Sequence, residues 1–306
     1  MENGITVVRF STHPRIGDTS SVPSPSKAVL VTGCSSGIGR ATAELLATKG
    51  WAVYATARKP EALGALEAAG SKTLALDVTD EASMAAAVRT VEEAEGAVGV
   101  LVNNAGYSQS GAIESVPIER VRAQFETNVF GLVRLTQLVL PKMREQRWGK
   151  IVNLSSMGGR FTFPGGGFYH ATKYAVEAIS DALRFEVRGF GIDVVIVEPG
   201  LIRTSFGDAA VTGMTDQVSS EGPYSDFNAR VAQATAGVYE SGALARFGGP
   251  PESVAKVIEK AITAKRPRPR YLVTPSARVL IAQRTLLRDR GWDAVMRTQF
   301  PQPGAK

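Results

Sequence analysis

The sequence predicts an α/β protein: one doubly wound domain built on a parallel sheet with helices on both faces. Three observations carry this. From Lys27 onward short β-branched and aliphatic runs recur, they alternate with longer segments of helical spacing, and the first run feeds directly into a glycine cluster. Apolar runs without polar alternation suit strands covered on both faces, as in a sheet whose crossovers are helices.

The runs are Ala28 to Val31, Ala52 to Tyr54, Thr73 to Leu76, Val98 to Val102, Ile151 to Leu154 and Ile192 to Val197. Between them, residues 40–49, 80–95, 118–145 and 168–188 carry Ala, Leu, Glu and Arg at helical intervals, and Gly50 marks a stop after the first. Residues 1–26, with His13-Pro14, Val22-Pro23 and Ser24-Pro25, lack apolar periodicity and are expected to form a flexible tail. An organellar transit peptide is the other reading of that tail, supported by Arg9 and Arg15 and opposed by Glu2 and Asp18. The catalytic domain is expected over 27–275. After Pro199-Gly200 the periodicity breaks into a long stretch rich in Gly, Ser, Ala and Asp, and a helix resumes near Pro251. A connection of that length is usually functional, so residues 203–250 are expected to be a lid over the substrate. Residues 276–306 form a C-terminal extension with one apolar segment, Val279 to Ala282.

Composition narrows the function. With 306 residues, 44% hydrophobic and 21% charged, the chain is long enough for one large core. No apolar run reaches the roughly 20 residues of a membrane helix, and the N-terminus lacks a secretory pattern, so a cytoplasmic location is the expectation. The single cysteine, Cys34, and two histidines, His13 and His170, leave no structural zinc site and no internal disulfide. The net charge of +6 owes part of its excess to Lys265, Arg266, Arg268 and Arg270, spaced by prolines. That run is expected to be a solvated loop. Nucleic-acid binding through it is a competing reading, but it lacks interleaved aromatics and a known module.

The first strand leads into Thr32-Gly33-Cys34-Ser35-Ser36-Gly37-Ile38-Gly39, where a helix begins. Glycines here permit a tight turn, close approach of a pyrophosphate, and close helix packing on a Rossmann-type sheet; the helix N-terminus then faces the phosphates. An NAD site would present an acid after the second strand. Here Arg58 follows Ala55-Thr56-Ala57, and a guanidinium suits the 2′-phosphate of NADP(H). A solvated arginine opening a helix is the alternative. Cys34 reads as a small turn residue.

Tyr169 and Lys173 are four residues apart in a helical segment and share a face. A free phenol titrates near pH 10, and an adjacent ammonium favours phenolate, moving the group toward useful acid/base work. His170 is expected to face away from this pair and receives no role.

Taken together these motifs resemble the short-chain dehydrogenase/reductase family over roughly residues 27–275. The resemblance rests on the glycine loop at Gly33, Gly37 and Gly39, on Asp77-Val78, on Asn103-Asn104-Ala105-Gly106, on Asn128, on Ser155-Ser156, on Tyr169 with Lys173, and on Pro199-Gly200 with Thr204. It implies that Tyr169 exchanges a proton with the carbonyl or alcohol oxygen while hydride moves to or from the nicotinamide. Lys173 would hold the nicotinamide ribose and lower the pKa of Tyr169, Ser156 would polarise the substrate, and Asn128 would anchor a relay water. The cofactor set is Gly33, Ser35, Ser36, Gly37, Ile38, Gly39, Arg58, Asp77, Val78, Asn104, Ala105, Gly106, Tyr169, Lys173, Pro199, Gly200 and Thr204. Asp77 would contact the adenine amino group and Asn104 would lie beside the adenosine ribose. Bland readings stand beside these: Ser156 as a turn cap, Asn128 as a brace at a helix irregularity, Asp77 as a helix cap, Asn103 as a sheet residue.

Met157, Phe161, Phe163, Phe168 and Phe206 flank these positions and suggest an apolar pocket. The resemblance extends to members acting on retinoids, steroids and other lipophilic ketones, through Tyr54 to Arg58 and the long lid. A small-molecule carbonyl or alcohol is therefore the expected partner, with ketone reduction the favoured direction. The resemblance also implies a homodimer or homotetramer through 118–145 and 168–188, where Val129, Leu132, Leu135, Leu138 and Leu140 are apolar. A catalytically silent NADP(H) sensor or scaffold of the same fold is the alternative function, and the intact Asn128, Ser156, Tyr169 and Lys173 argue against it.

Overall fold

The computed structural model describes residues 24–204, 222–240, 247–300 and 302–304. The N-terminal tail up to Val22-Pro23, Phe206 and much of the expected lid lie outside these residues.

The strands are β1 (Val29–Val31), β2 (Val53–Ala57), β3 (Lys72–Ala75), β4 (Val100–Asn103), β5 (Gly149–Leu154), β6 (Ile192–Pro199) and β7 (Arg270–Val273). They form one parallel sheet in the order β3-β2-β1-β4-β5-β6-β7. Every residue of β1, β2, β4 and β5 is buried, which is why their sequences show no polar alternation, whereas edge strand β3 is partly exposed. The strand order reverses between β1 and β4, so a crevice opens at their C-terminal ends, where doubly wound sheets hold ligands.

The helices are α1 (Gly37–Thr48), α2 (Gly64–Ala68), α3 (Glu81–Glu95), α4 (Ile118–Phe125), α5 (Gly131–Glu145), α6 (Gly167–Val187), α7 (Ser225–Glu240), α8 (Pro251–Thr263) and α9 (Pro275–Gln299). On one face Ala43 and Leu46 of α1 and Val254, Ile258 and Ile262 of α8 pack on the strands. On the other, Val88 and Val91 of α3 and Leu135, Val139 and Met143 of α5 do the same, with Val187 at the end of α6. Each of these Val, Leu, Ile and Met side chains contributes about 1.5–3 kcal/mol of burial.

Several sequence expectations change here. The segment 118–145 is one helical rod interrupted by a π-turn at Glu126–Phe130, between α4 and α5. Val129, Leu132 and Leu135 are buried within the protomer and do not form an outer face; Phe130 is the exposed aromatic there. The expected lid contains α7, whose Phe227 and Val231, one turn apart, pack with Ala112. Its Ala, Gly, Asn and Thr content hid that face. The C-terminal extension is largely α9, broken at Arg288, where φ is 53°. Arg270 is not part of a solvated run. It opens β7 and donates to Glu177 at 3.0 Å and Asp181 at 2.5 Å, while Lys265, Arg266 and Arg268 are exposed. Helix α3 is capped by Asp80, which accepts from the N–H groups of Ala82 and Ser83, so Asp77 is not its cap.

Candidate active site

The turn from β1 to α1 is held by backbone and by Asn104. Gly33 has φ of 72°, the left-handed conformation that spares glycine a steric cost. A Cβ on Gly39 would run into Gly33 O and lie 2.5 Å from Asn104 Nδ2, so glycine is the residue that lets α1 approach this closely. Asn104 donates through Nδ2 to Thr32 O at 2.8 Å and Gly33 O at 3.1 Å. Thr32 Oγ1 in turn accepts from the N–H groups of Asn104 and Ala105. The Asn104 amide thus braces the glycine turn from the β4 side of the crevice. Asn103 serves the sheet: it donates to Thr136 Oγ1 and Asn153 Oδ1.

Ser36 precedes α1 in extended conformation without a side-chain cap, and the first turn carries no acid. The N–H groups of that turn and the positive end of the helix dipole are therefore free to meet an anion, and Ser35 and Ser36 are exposed beside them. The Thr204 methyl would lie 3.3 Å from a Cβ on Gly37, so the strand-β6 side of the crevice closes on the same loop. Ile38 packs on the core under α1. Arg58 is exposed immediately after β2 and enters no ion pair among the described residues. Asp77 is half-buried; its Oδ1 accepts from Thr79 N and Thr79 Oγ1. The neighbouring Val78 carbonyl lies so near Gly131 that any Cβ there would strike it, which fixes this loop against α5. Pro199 pairs with Val273, and Gly200 sits against Thr274 and Ser276 at the start of α9. These residues fit a dinucleotide: an uncapped helix N-terminus, a glycine cradle and a free guanidinium at the end of β2. Cys34 is fully buried and donates to Val31 O; burial pushes its thiol up to about 12, so it is a packing residue.

The other half of the crevice is built on α6. Tyr169 is half-buried and Lys173 buried, one turn apart, with Nζ 5.8 Å from the centre of the tyrosine ring. Lys173 donates to Leu154 O at 2.7 Å, which ties the ammonium to the end of β5. Burial pushes its pKa down to about 8, and the Glu177 carboxylate a further turn along α6 opposes that shift. Gly106 reaches both helices: a Cβ there would lie 3.0 Å from Asn128 Oδ1 and 3.9 Å from Lys173 Nζ.

Asn128 sits in the π-turn, a helix irregularity common at functional sites. Its amide donates to Tyr107 O at 2.9 Å and Thr172 Oγ1 at 3.1 Å and accepts from Tyr107 N, so it knots the loop after β4 to α6. Ser156 Oγ accepts from Gly158 N at 3.0 Å. The turn-cap reading of this serine is correct as far as it goes, and the bond leaves the hydroxyl proton available for a second partner.

His170 Nδ1 lies 2.8 Å from Gly158 O, and the ring meets Phe163 edge-on at 4.4 Å between centres. Burial lowers its pKa to about 4. Contrary to expectation it does not face away from Tyr169: the two rings meet edge-on at 5.7 Å between centres, and both border one chamber. That inner chamber, of about 140 Å³, includes Met157, Phe161, Phe163, Leu201 and Val231. Phe168 is elsewhere, packed with Val116, Val121 and Phe125. Sequence reasoning missed Trp292, Met296 and Phe300 of the C-terminal segment, which also line it. It also missed the cluster behind Lys173, where Arg270 and Arg160 meet the buried Glu177 and Glu198. Burial, reinforced by the charge of Glu198, pushes the Glu177 carboxyl up to about 7. No spacing rule links these four residues in sequence.

Known proteins resemble this chain in sequence and in fold. The family model for short chain dehydrogenase matches residues 27–216. The chain is 38% identical over 260 residues to a 3-ketodihydrosphingosine reductase of Bacteroides thetaiotaomicron, covering 83% of this chain and 90% of the relative. It is 39% identical over 277 residues to an NADPH-dependent 3-dehydrocapnine reductase of Ornithobacterium rhinotracheale, covering 87% and 94%. A crystal structure of a short-chain dehydrogenase from Streptomyces avermitilis superposes with a TM-score of 0.74 at 37% identity, over 89% of this chain and 98% of that one.

Proposed function

This chain belongs to the short-chain dehydrogenases, and from that membership we propose that it transfers hydride between NADP(H) and an apolar ketone or secondary alcohol, with Tyr169 as the acid/base. The observation that carries the reading is the wall position of Tyr169 in an apolar chamber, one helical turn from the buried Lys173. When bound, the nicotinamide supplies or accepts the hydride. In reduction the Tyr169 hydroxyl gives its proton to the carbonyl oxygen, Ser156 donates a hydrogen bond to that oxygen, and the Lys173 ammonium stabilises the phenolate left behind. Lys173 would also hold the nicotinamide ribose, and the π-turn at Asn128 would anchor the water through which a proton returns, by way of Lys173, to the Tyr169 phenolate.

The glycine loop from Gly33 to Gly39, Asp77-Val78, Asn104 to Gly106, and Pro199-Gly200 with Thr204 would line the dinucleotide. Arg58 selects NADP(H) through the 2′-phosphate, a preference also carried in the name of the 3-dehydrocapnine reductase. The names of both curated relatives describe ketone reduction, which supports that direction here. Residues 203–250 serve as the lid, and the protein works in the cytoplasm. Among the described residues no helix is long and apolar enough to cross a membrane. The exposed Phe130, Tyr174 and Phe185 on the outer faces of the helical rod and of α6 support a homodimer or homotetramer.

The test is calorimetric titration with NADPH and with NADH, followed by a screen of apolar ketones for oxidation of the reduced nicotinamide. The reading expects tighter NADPH binding and ketone-dependent turnover. Equal binding of NADH removes the role of Arg58, and preference for small polar ketones removes the apolar substrate.

A further inference from the structure

Beyond the inner chamber the protein holds a second, more open one of about 800 Å³, bordered by Ile113, Pro164, Tyr224, Phe227, Asp293 and Arg297. Phe163, Gly165, Trp292, Met296 and Phe300 line both, so these residues form a partition between the two. We infer that the substrate is a long, unbranched aliphatic ketone whose carbonyl sits at Tyr169 and whose tail passes this partition into the outer chamber. The inference rests on the ketone-reductase reading of Tyr169 and gives its substrate a shape.

Size and rigidity argue for it together. The inner chamber, at about 140 Å³, falls well below the roughly 300–1,000 Å³ of pockets that enclose a drug-sized ligand. A carbonyl at Tyr169 therefore leaves room for only a few carbons before the ligand meets the partition. One member of the partition is firmly held. Trp292 is buried, donates through its indole N–H to Thr162 O at 2.9 Å, and packs edge-on to Phe161 at 5.3 Å. Phe300 is different: it follows the last turn of α9, is half-buried, and lies parallel to Phe163 at 6.5 Å between ring centres. A polymethylene chain is thin enough to pass beside Met296, an adaptable side chain, by displacing Phe300 alone. A fused ring system would have to move Trp292 as well.

On the far side the tail meets Phe227, Ile113 and Pro164 along the chamber, while the charged Glu114, Asp293 and Arg297 border the same chamber. Arg297 and Asp293 are exposed, so their charges stay hydrated while the apolar residues take the chain. The placement of α9, the element for which the sequence offered least, thereby sets which ketones are turned over.

The experiment measures kcat/KM with NADPH for 2-hexanone, 2-octanone, 2-decanone and 2-dodecanone and for a steroid ketone. Burying a methylene corresponds to roughly threefold to fourfold in affinity, so efficiency is expected to climb by about that factor per carbon through dodecanone. The steroid ketone is expected to fall below 2-octanone. Efficiency that levels off at 2-octanone, or a steroid ketone that matches dodecanone, overturns the inference. In Met296→Trp the ratio of dodecanone to hexanone efficiency is expected to drop at least tenfold; an unchanged ratio contradicts a tail beside Met296. Phe300→Ala, at the edge of the fold, is expected to raise dodecanone relative to hexanone at least threefold while the steroid ketone, still blocked by Trp292, stays below 2-octanone, and an unchanged dodecanone ratio removes Phe300 as the yielding member. Calorimetry with 2-hexanol and 2-dodecanol reads the chamber without turnover. If no ketone is reduced, the enzymatic reading fails, while tighter binding of the longer alcohol still supports the tail path and equal binding overturns it.

Discussion

At the glycine turn Asn104 gives both of its donor contacts to backbone carbonyls, Thr32 Oγ1 accepts from two N–H groups, and a single methyl on Gly39 has nowhere to go. At the aromatic chamber the wall is made of Phe163, Met296 and Phe300, half-buried side chains that meet through rings and a thioether. The first region is specified by hydrogen bonds and contacts with fixed backbone; the second by packing between elements far apart in the chain. A dinucleotide phosphate is the same in every enzyme that binds it, so its cradle tolerates little variation in geometry. A chamber for an apolar group needs volume and shape, which many combinations of side chains supply.

The contrast can be broken at Gly39. Gly39→Ala forces a Cβ onto Gly33 O and the Asn104 amide, neither of which can retreat without opening the turn. A loss of NADPH affinity of at least about a hundredfold is expected by calorimetry, the size expected when backbone donors leave their ligand. Affinity close to wild type would mean that the turn is as adaptable as the chamber.

His170 sharpens the comparison from the chamber side. Its folded-state pKa, about 4, lies below the ordinary value of 6.5 because burial disfavours the imidazolium. A depressed pKa means that the neutral ring contributes stability above about pH 6.5, and that contribution is lost as pH falls through 4. Between wild type and His170→Gln, the difference in acid-induced loss of stability over this window is expected to reach about 3 kcal/mol, from denaturant titrations at each pH. Parallel curves for the two proteins would show that His170 charges without cost.

Arg58 gives a smaller effect on the cofactor side. Its guanidinium is exposed and free of ion pairs among the described residues, so replacement should leave the fold alone. Arg58→Ala is expected to weaken NADPH by roughly tenfold to a hundredfold, the range for a lost charge-assisted contact, and to leave NADH unchanged. An equal loss for both cofactors would assign Arg58 to the shared part of the nucleotide.

The same contrast explains what could be read in the sequence. The buried strands, the glycine turn, and the spacing of Tyr169 and Lys173 are local patterns, and each has one physical reading once its neighbours are known. The bonds of Asn104 to the glycine turn could not be read because an amide at a strand end has many possible partners, and only the register of β4 beside β1 brings Thr32 and Gly33 within its reach. Asp77 gave way to Asp80 as the α3 cap through a shift of three residues that composition does not mark. α7 was hidden by its many small residues, and the Trp292 to Phe300 wall by the break at Arg288. Arg270 looked solvated because its partners, Glu177, Asp181 and Glu198, are reached only through the fold.

If the phenol of Tyr169 moves the proton while the glycine turn holds the cofactor independently, one substitution separates the two. Tyr169→Phe tests this most directly, with NADPH binding by calorimetry and turnover of the best apolar ketone measured on the same preparation. NADPH affinity within about twofold of wild type is expected, with a fall in kcat of roughly a hundredfold to ten-thousandfold, the range for loss of a general acid. Turnover preserved without the hydroxyl would contradict it and move the proton transfer to another group.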